Sequence, residues 1–207
     1  MIAIIDYGVG NLFSLKSSFA AIGQEAVVTG ERAVIEAAEK LILPGVGAFG
    51  DAADKLRSSG LDTVVIGQAR AGKPLLGICL GMQLLFDEST EYGTHKGLGL
   101  IPGRIVPISD VIPKDLKIPH IGWNALHFEQ QSPIFKYVKE GECVYFVHSF
   151  YATDCQESVV ATAEYGAELT AAVQKGSVYG CQFHPEKSGK TGLSILRAFC
   201  EEGGNAV

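Results

Sequence analysis

No part of this 207-residue chain carries a basic run, a long hydrophobic stretch or a paired CxxC motif. Each absence excludes a class. Acidic residues outnumber basic ones, 23 to 17, giving a formal net charge of −6, so nucleic acid is not expected as a partner. The longest uncharged apolar stretch, residues 74–86, is interrupted by Gly and Gln and is too short to span a bilayer, so no membrane association is expected. The first six residues meet Asp6 with no basic leader before it, unlike a secretory signal, and a cytoplasmic protein is the expectation. The five cysteines, at 79, 143, 155, 181 and 200, are odd in number and scattered, which suits neither a disulfide framework nor a zinc site. Tryptophan occurs once. Charged residues make up only 19% and apolar residues 47%, enough for a sizeable core and too apolar for disorder. The length suits one domain, 1–207. What the chain does have in quantity is glycine, 25 residues of it.

The first half alternates short apolar runs with helical periodicity. Strands are expected at 2–6, 26–28, 40–43 and 74–78, and helices at 12–22, 32–38, 50–58, 61–71 and 80–86. Runs that are continuously apolar rather than alternating indicate a mostly parallel sheet covered on both faces. From 103 to 179 the segments become β-branched and are separated by turn residues. Strands are expected there at 104–108, 125–128, 143–150, 158–164, 170–175 and 177–182, as antiparallel additions, followed by a helix at about 191–202. Residues 109–119 read as a loop, with no periodicity to fix its course. The fold class is α/β: an open, mostly parallel sheet flanked by helices, with an antiparallel second half.

Ligands of such sheets bind beyond the carboxyl ends of the strands, and three glycine clusters, 8–10, 45–50 and 77–81, follow strands. Tight turns alone account for many such glycines. Residues 45–50 satisfy G-x-G-x-x-G, but they follow the third strand and lack the acidic residue about twenty positions on, so a dinucleotide site is disfavoured. Residues 77–81, Gly-Ile-Cys-Leu-Gly, place a cysteine in the strand-to-helix turn of a nucleophile elbow. This composition yields roughly 0.07 chance occurrences of that pattern. The helix N-terminus there favours a thiolate. A thiol nucleophile needs a base and the base an orienter. Of the five histidines, His184 stands before Pro185 with Glu186 two residues on, on the same side of an extended backbone. His148 is the competing base, without an acid at that spacing.

Residues 77–81 with Gln83, followed by Gln182-Phe183-His184-Pro185-Glu186, resemble the class I (triad) glutamine amidotransferases. Segments 6–12, 43–49, 97–101, 122–124 and 185–188 narrow the resemblance to the glutaminase subunits of imidazole glycerol phosphate synthases, with Pro-Gly-Val-Gly at 44–47 and Lys187 the discriminating features. The resemblance implies a flavodoxin-like fold and hydrolysis of L-glutamine to glutamate and ammonia, with Cys79 as nucleophile, His184 as proton relay and Glu186 as its orienter. It further implies an oxyanion hole from the backbones of Val46, Gly47 and Leu80. Gly45 and Gly47 would permit a peptide there to turn. Glutamine would be held by the side chains of Gln83 and Glu91 and the backbones of Ser149 and Phe150. The implied partner is a (β/α)8-barrel cyclase subunit, contacted at Asn11, Trp123 and Lys187; no cofactor or metal is implied. The rival readings are a sister amidotransferase subunit with another acceptor, a secreted γ-glutamyl hydrolase, a silent homologue, and a dinucleotide-binding oxidoreductase.

Overall fold

In the computed structural model, which describes residues 1–203, the chain opens with strand β1 (Ile2–Ile5), helix α1 (Leu12–Ala21), β2 (Ala26–Thr29), α2 (Arg32–Ala37) and β3 (Lys40–Leu43). Helices α3 (Phe49–Ser58) and α4 (Leu61–Arg70), strand β4 (Leu75–Ile78) and the one-turn helix α5 (Leu80–Gln83) follow. The second half supplies β5 (Glu88–Ser89), β6 (His95–Lys96), β7 (Arg104–Pro107), β8 (His120–Ala125), β9 (His127–Phe128), β10 (Cys143–His148) and β11 (Phe150–Thr153). Strands β12 (Val159–Glu164), β13 (Glu168–Lys175) and β14 (Val178–Cys181) and helix α6 (Gly189–Glu201) complete it. The last four positions of the expected domain lie outside the described residues.

The main sheet has the order β2-β1-β3-β4-β14-β13-β12-β9. Its first five members are parallel. Strands β1, β3, β4 and β14 are buried at every residue, which is why they read as unbroken apolar runs. Alternate side chains serve opposite faces. Ala3, Ile5, Leu41 and Leu75 pack with Phe49, Leu56 and Val65 of α3 and α4. Ile2, Ile4, Ile42 and Leu76 pack with Phe19 of α1 and Ile195 and Phe199 of α6. Burial of each large side chain contributes about 1.5–3 kcal/mol. No helix among the described residues is long and apolar enough to cross a membrane.

Five expectations need correction. The second half is not all antiparallel, because β14 joins the parallel set directly beside β4. The helix expected over 80–86 ends at Gln83; Leu85 and Phe86 continue in tighter turns, and the carbonyls of residues 84–86 accept from the backbone of the 98–101 loop instead. The strand expected at 125–128 is divided between β8 and β9, with the buried Leu126 between them, and β8 itself begins five residues earlier than expected. Likewise 143–150 divides at Ser149, β10 pairing with β8 and β11 with β7. Pro119 and Gly122 mask the strand character of β8, since both are poor strand formers. The two-residue strands β5 and β6 are too short to leave a pattern. Within 109–119, Ile112 packs on Ile108 and Leu169, which gives the loop its own small core.

Candidate active site

The carboxyl ends of β1, β3, β4 and β14 all open on one edge of the sheet, and the 45–47 loop, the Cys79 turn and His184 hang from them. The β4–α5 turn is sharp. Cys79 has φ +54° and ψ −113°, a strained conformation for a residue with a side chain. Its amide donates to the Cys181 carbonyl at 2.8 Å, which ties the elbow to β14. Three glycines make the turn fit. A Cβ on Gly81 would lie 1.8 Å from the Leu43 carbonyl oxygen, one on Gly77 2.7 Å from the Gly81 oxygen, and one on Gly45 2.7 Å from the Gly81 nitrogen. Gly45 therefore serves close packing. Only Gly47, at φ +92° with open space around it, leaves the neighbouring peptide room to turn. Gly50 is occupied as well, since a Cβ there would sit 2.7 Å from the His95 ring. The G-x-G-x-x-G glycines thus find their uses inside the protein.

Because β14 lies next to β4, the chain leaving it carries His184 to the neighbourhood of the Cys79 sulfur. Its ring nitrogen Nδ1 stands 2.8 Å from Glu186 Oε1. Glu186 reaches it from a 3₁₀ turn over Pro185–Lys187 rather than from a continued extended strand. Both side chains are almost fully buried, and Glu186 Oε2 has no hydrogen-bond partner, so the imidazole is its sole polar contact. Burial opposes charge on His184, but the neighbouring Cys79 and the hydrogen-bonded Glu186 carboxylate prevail and raise its pKa to about 9. The site holds an imidazolium between a sulfur and a carboxylate.

A cleft of about 390 Å³ opens over the sulfur. Its walls include Val46, Gly47, Leu80, Gln83, Glu91, Ser149, Phe150 and Lys187 of the expected site residues, and also Pro119, Val147 and His148. As the first residue of α5, Leu80 has an amide without an intrahelical partner, available to an oxyanion. Gln83 donates from Nε2 to the Phe150 carbonyl at 3.2 Å and to Gln182 Oε1 at 2.9 Å, leaving only its oxygen for a ligand. Glu91 accepts from the Phe49 amide at 2.6 Å and so anchors the start of α3, just beyond the 45–47 loop. The same loop is held from below by Tyr7, whose buried hydroxyl donates to the Pro44 carbonyl at 2.7 Å; burial, then the neighbouring Cys79, raises its pKa and keeps it a neutral phenol.

Asn11 and Trp123 stand outside the cleft. Asn11 caps α1, accepting from the Ser14 amide at 3.5 Å. Trp123 is 55% exposed and stacks edge-on against Tyr145, over which Lys187 also lies. His148 cannot serve as the base. Its Nδ1 donates to the Phe150 carbonyl at 2.8 Å and its Nε2 faces His120 Nδ1 at 3.0 Å, and burial pushes its pKa down to about 4. Its partner His120 was not anticipated, nor was the role of Gln182, whose Nε2 lies 3.7 Å from the Cys79 sulfur. The alternation Val144, Phe146, His148 along β10 was the legible signal that His148 faces inward.

A cysteine on a strained elbow, an imidazolium oriented by a buried carboxylate, and the Leu80 amide left unpaired at the start of α5 form an arrangement of the triad type. A model of the class-I glutamine amidotransferase family matches residues 3–202, and the chain belongs to that family. It is 49% identical, over 96% of its length and 98% of the relative's, to imidazole glycerol phosphate synthase subunit HisH of Syntrophotalea carbinolica. Identity to the HisH subunits of Geobacillus kaustophilus and Methanothermobacter thermautotrophicus is 50% and 49%, covering 96% and 97% of this chain and 95% and 98% of theirs. The fold is shared with a crystal structure of a glutamine amidotransferase (TM-score 0.75, 20% identity, covering 97% of this chain and 98% of that one). It is also shared with PurLQS from Thermotoga maritima (TM-score 0.76, 22% identity, covering 97% of each chain).

Proposed function

We propose that this chain is the glutaminase subunit of a cytoplasmic imidazole glycerol phosphate synthase, passing ammonia to a (β/α)8-barrel cyclase subunit in histidine biosynthesis. The observation that carries the reading is the Cys79–His184–Glu186 assembly at the floor of a cleft with an apolar rim. Glutamine enters with its α-amino group toward the free oxygen of Gln83 and the Glu91 carboxylate, and its α-carboxylate toward the Ser149–Phe150 backbone. The Cys79 sulfur attacks the amide carbon, and the oxyanion is held by the Leu80 amide and one from Val46–Gly47. As the carbon–nitrogen bond breaks, His184 gives its proton to the departing nitrogen and ammonia leaves. A water then attacks the thioester and surrenders one proton to the now neutral His184; glutamate departs, its acid proton passes to solvent, and the Cys79 sulfur and the imidazolium are restored.

Ammonia set free in water would be protonated, so the cleft mouth must be covered. Val46, Ile118, Ile121 and Trp123 are all exposed there or on the strand beside it, a patch suited to a partner subunit. Lys187 lies at the cleft wall, over Tyr145, and Asn11 at the end of the same sheet edge. Glutamine hydrolysis measured with and without the cyclase subunit and its ribonucleotide substrate tests the assignment. Stimulation by both together is expected; stimulation by a different synthase's acceptor subunit would move the chain to a sister pathway.

Two further outcomes are expected. Trp123→Ala should weaken subunit association by about 30-fold, in the range of an interface anchor, while leaving the melting temperature of the free chain close to wild type. Titration calorimetry and thermal unfolding read the two separately, and a collapsed fold would assign Trp123 to the core instead. The second concerns pH. The folded chain keeps the His184 proton to about pH 9, whereas an unfolded histidine releases it near 6.5. The pairing therefore stabilises the fold fully below about pH 6.5, and that contribution is lost as the pH rises through 9. Hydrolysis should decline over the same alkaline limb. Glu186→Gln removes the carboxylate and should draw that limb toward neutrality, as a pH–rate profile would show.

A further inference from the structure

Gln182 is completely buried beside the triad, yet the chemistry above gives it nothing to do. Its amide is oriented from outside. The Phe150 carbonyl only accepts, so Gln83 must turn its nitrogen toward it. The remaining hydrogen of that nitrogen goes to Gln182 Oε1 at 2.9 Å. Gln182 is thereby left with Nε2 facing the Cys79 sulfur at 3.7 Å. The sulfur's other polar neighbour besides His184 is the Val147 carbonyl at 3.9 Å, an acceptor that suits only the protonated thiol. An amide N–H directed at sulfur favours the thiolate instead.

We propose that Gln182 is a further catalytic residue of this site: its amide, locked in direction by Gln83, donates to the Cys79 sulfur and favours the form that attacks. The side chain that receives glutamine is in this way wired to the atom that attacks it. The proposal rests on Cys79 being the nucleophile and Gln83 a glutamine contact, as above.

The test is alkylation of Cys79 by iodoacetamide across a pH series, in the full chain assembled with its cyclase subunit and without glutamine. Gln182→Glu preserves shape and the acceptor for Gln83 but turns carboxylate oxygen on the sulfur. Its alkylation profile should move to higher pH by about one unit, making the reaction about tenfold slower at neutrality. Gln182→Met, which removes the donor without adding charge, should move it less in the same direction. Profiles that overlay the wild type in both folded variants would overturn the proposal and leave Gln182 a packing residue. If neither variant folds, the nitrogen-15 resonance of the Gln182 side-chain amide in the unsubstituted protein decides. It should titrate in step with alkylation and lose that dependence in Cys79→Ala; a flat resonance overturns the proposal. Absence of glutamine hydrolysis in the unsubstituted complex would overturn the glutaminase assignment, and retained hydrolysis in Cys79→Ser the identity of the nucleophile; both are read separately, since alkylation requires no glutamine turnover.

Discussion

Cys79→Ser is expected to lower glutamine hydrolysis by roughly a thousandfold or more, with thermal unfolding barely changed. The two side chains differ by one atom, so the hydroxyl fits the same space and inherits the same strained backbone at φ +54°. What changes is acidity. A hydroxyl is far harder to ionise than a thiol, and the raised pKa of His184 keeps a cation beside the attacking atom. The other four thiols supply the control. Burial pushes Cys155 and Cys200 up to about 11, and burial together with Glu186 and Cys79 raises Cys181 well above the ordinary thiol value. Cys143 is exposed, on β10. Serine at any of these four should leave turnover within a few-fold of wild type. Glutamate release by the chain assembled with the proposed cyclase subunit, measured beside a melting curve, separates loss of chemistry from loss of fold. A Cys79→Ser protein with undiminished turnover would mean that another group attacks the amide.

The elbow was readable because its demands are local. A cysteine flanked at two residues on each side by glycine states its own backbone geometry, and His184 with Glu186 lie within three residues of each other. The strands of the parallel core were readable for a related reason, since burial on both faces leaves almost no polar position to confuse the pattern, Lys40 at the start of β3 being the exception. What escaped depends on partners distant in sequence. The position of β14 beside β4, which joins His184 to Cys79, is a matter of topology rather than of any residue in 178–181. Gln182 takes its role from Gln83 and Phe150, and His148 is removed as a base by His120, 28 residues away. The helix is not continued beyond α5 because the 98–101 loop claims the carbonyls of residues 84–86. Helix propensity carries no information about a competing backbone acceptor.

Gly81→Ala should be the most disruptive small substitution in the molecule. The added methyl would stand 1.8 Å from the Leu43 carbonyl oxygen and 2.7 Å from its carbon, and both belong to the backbone of a buried central strand that cannot yield. Helix α5 must therefore lift away from β3, taking Cys79 with it. A loss of about 3 kcal/mol or more is expected, which in a chain of this size corresponds to a melting temperature lower by roughly 6–12 °C. Activity should fall further than stability implies, because a displacement of about 1 Å at a nucleophile can cost 100-fold by itself. Gly67→Ala provides the opposite case. It lies in the interior of α4 with no atom within 4 Å of a new Cβ, so the gain in helix propensity should stabilise the protein by about 0.5–1 kcal/mol. Calorimetry on the pair distinguishes two uses of one residue type. If Gly81→Ala melted and turned over glutamine like the wild type, the close approach of β3 and α5 would not be what fixes the nucleophile. The strain at Cys79 would then have to be held by the hydrogen bond its amide donates to the Cys181 carbonyl.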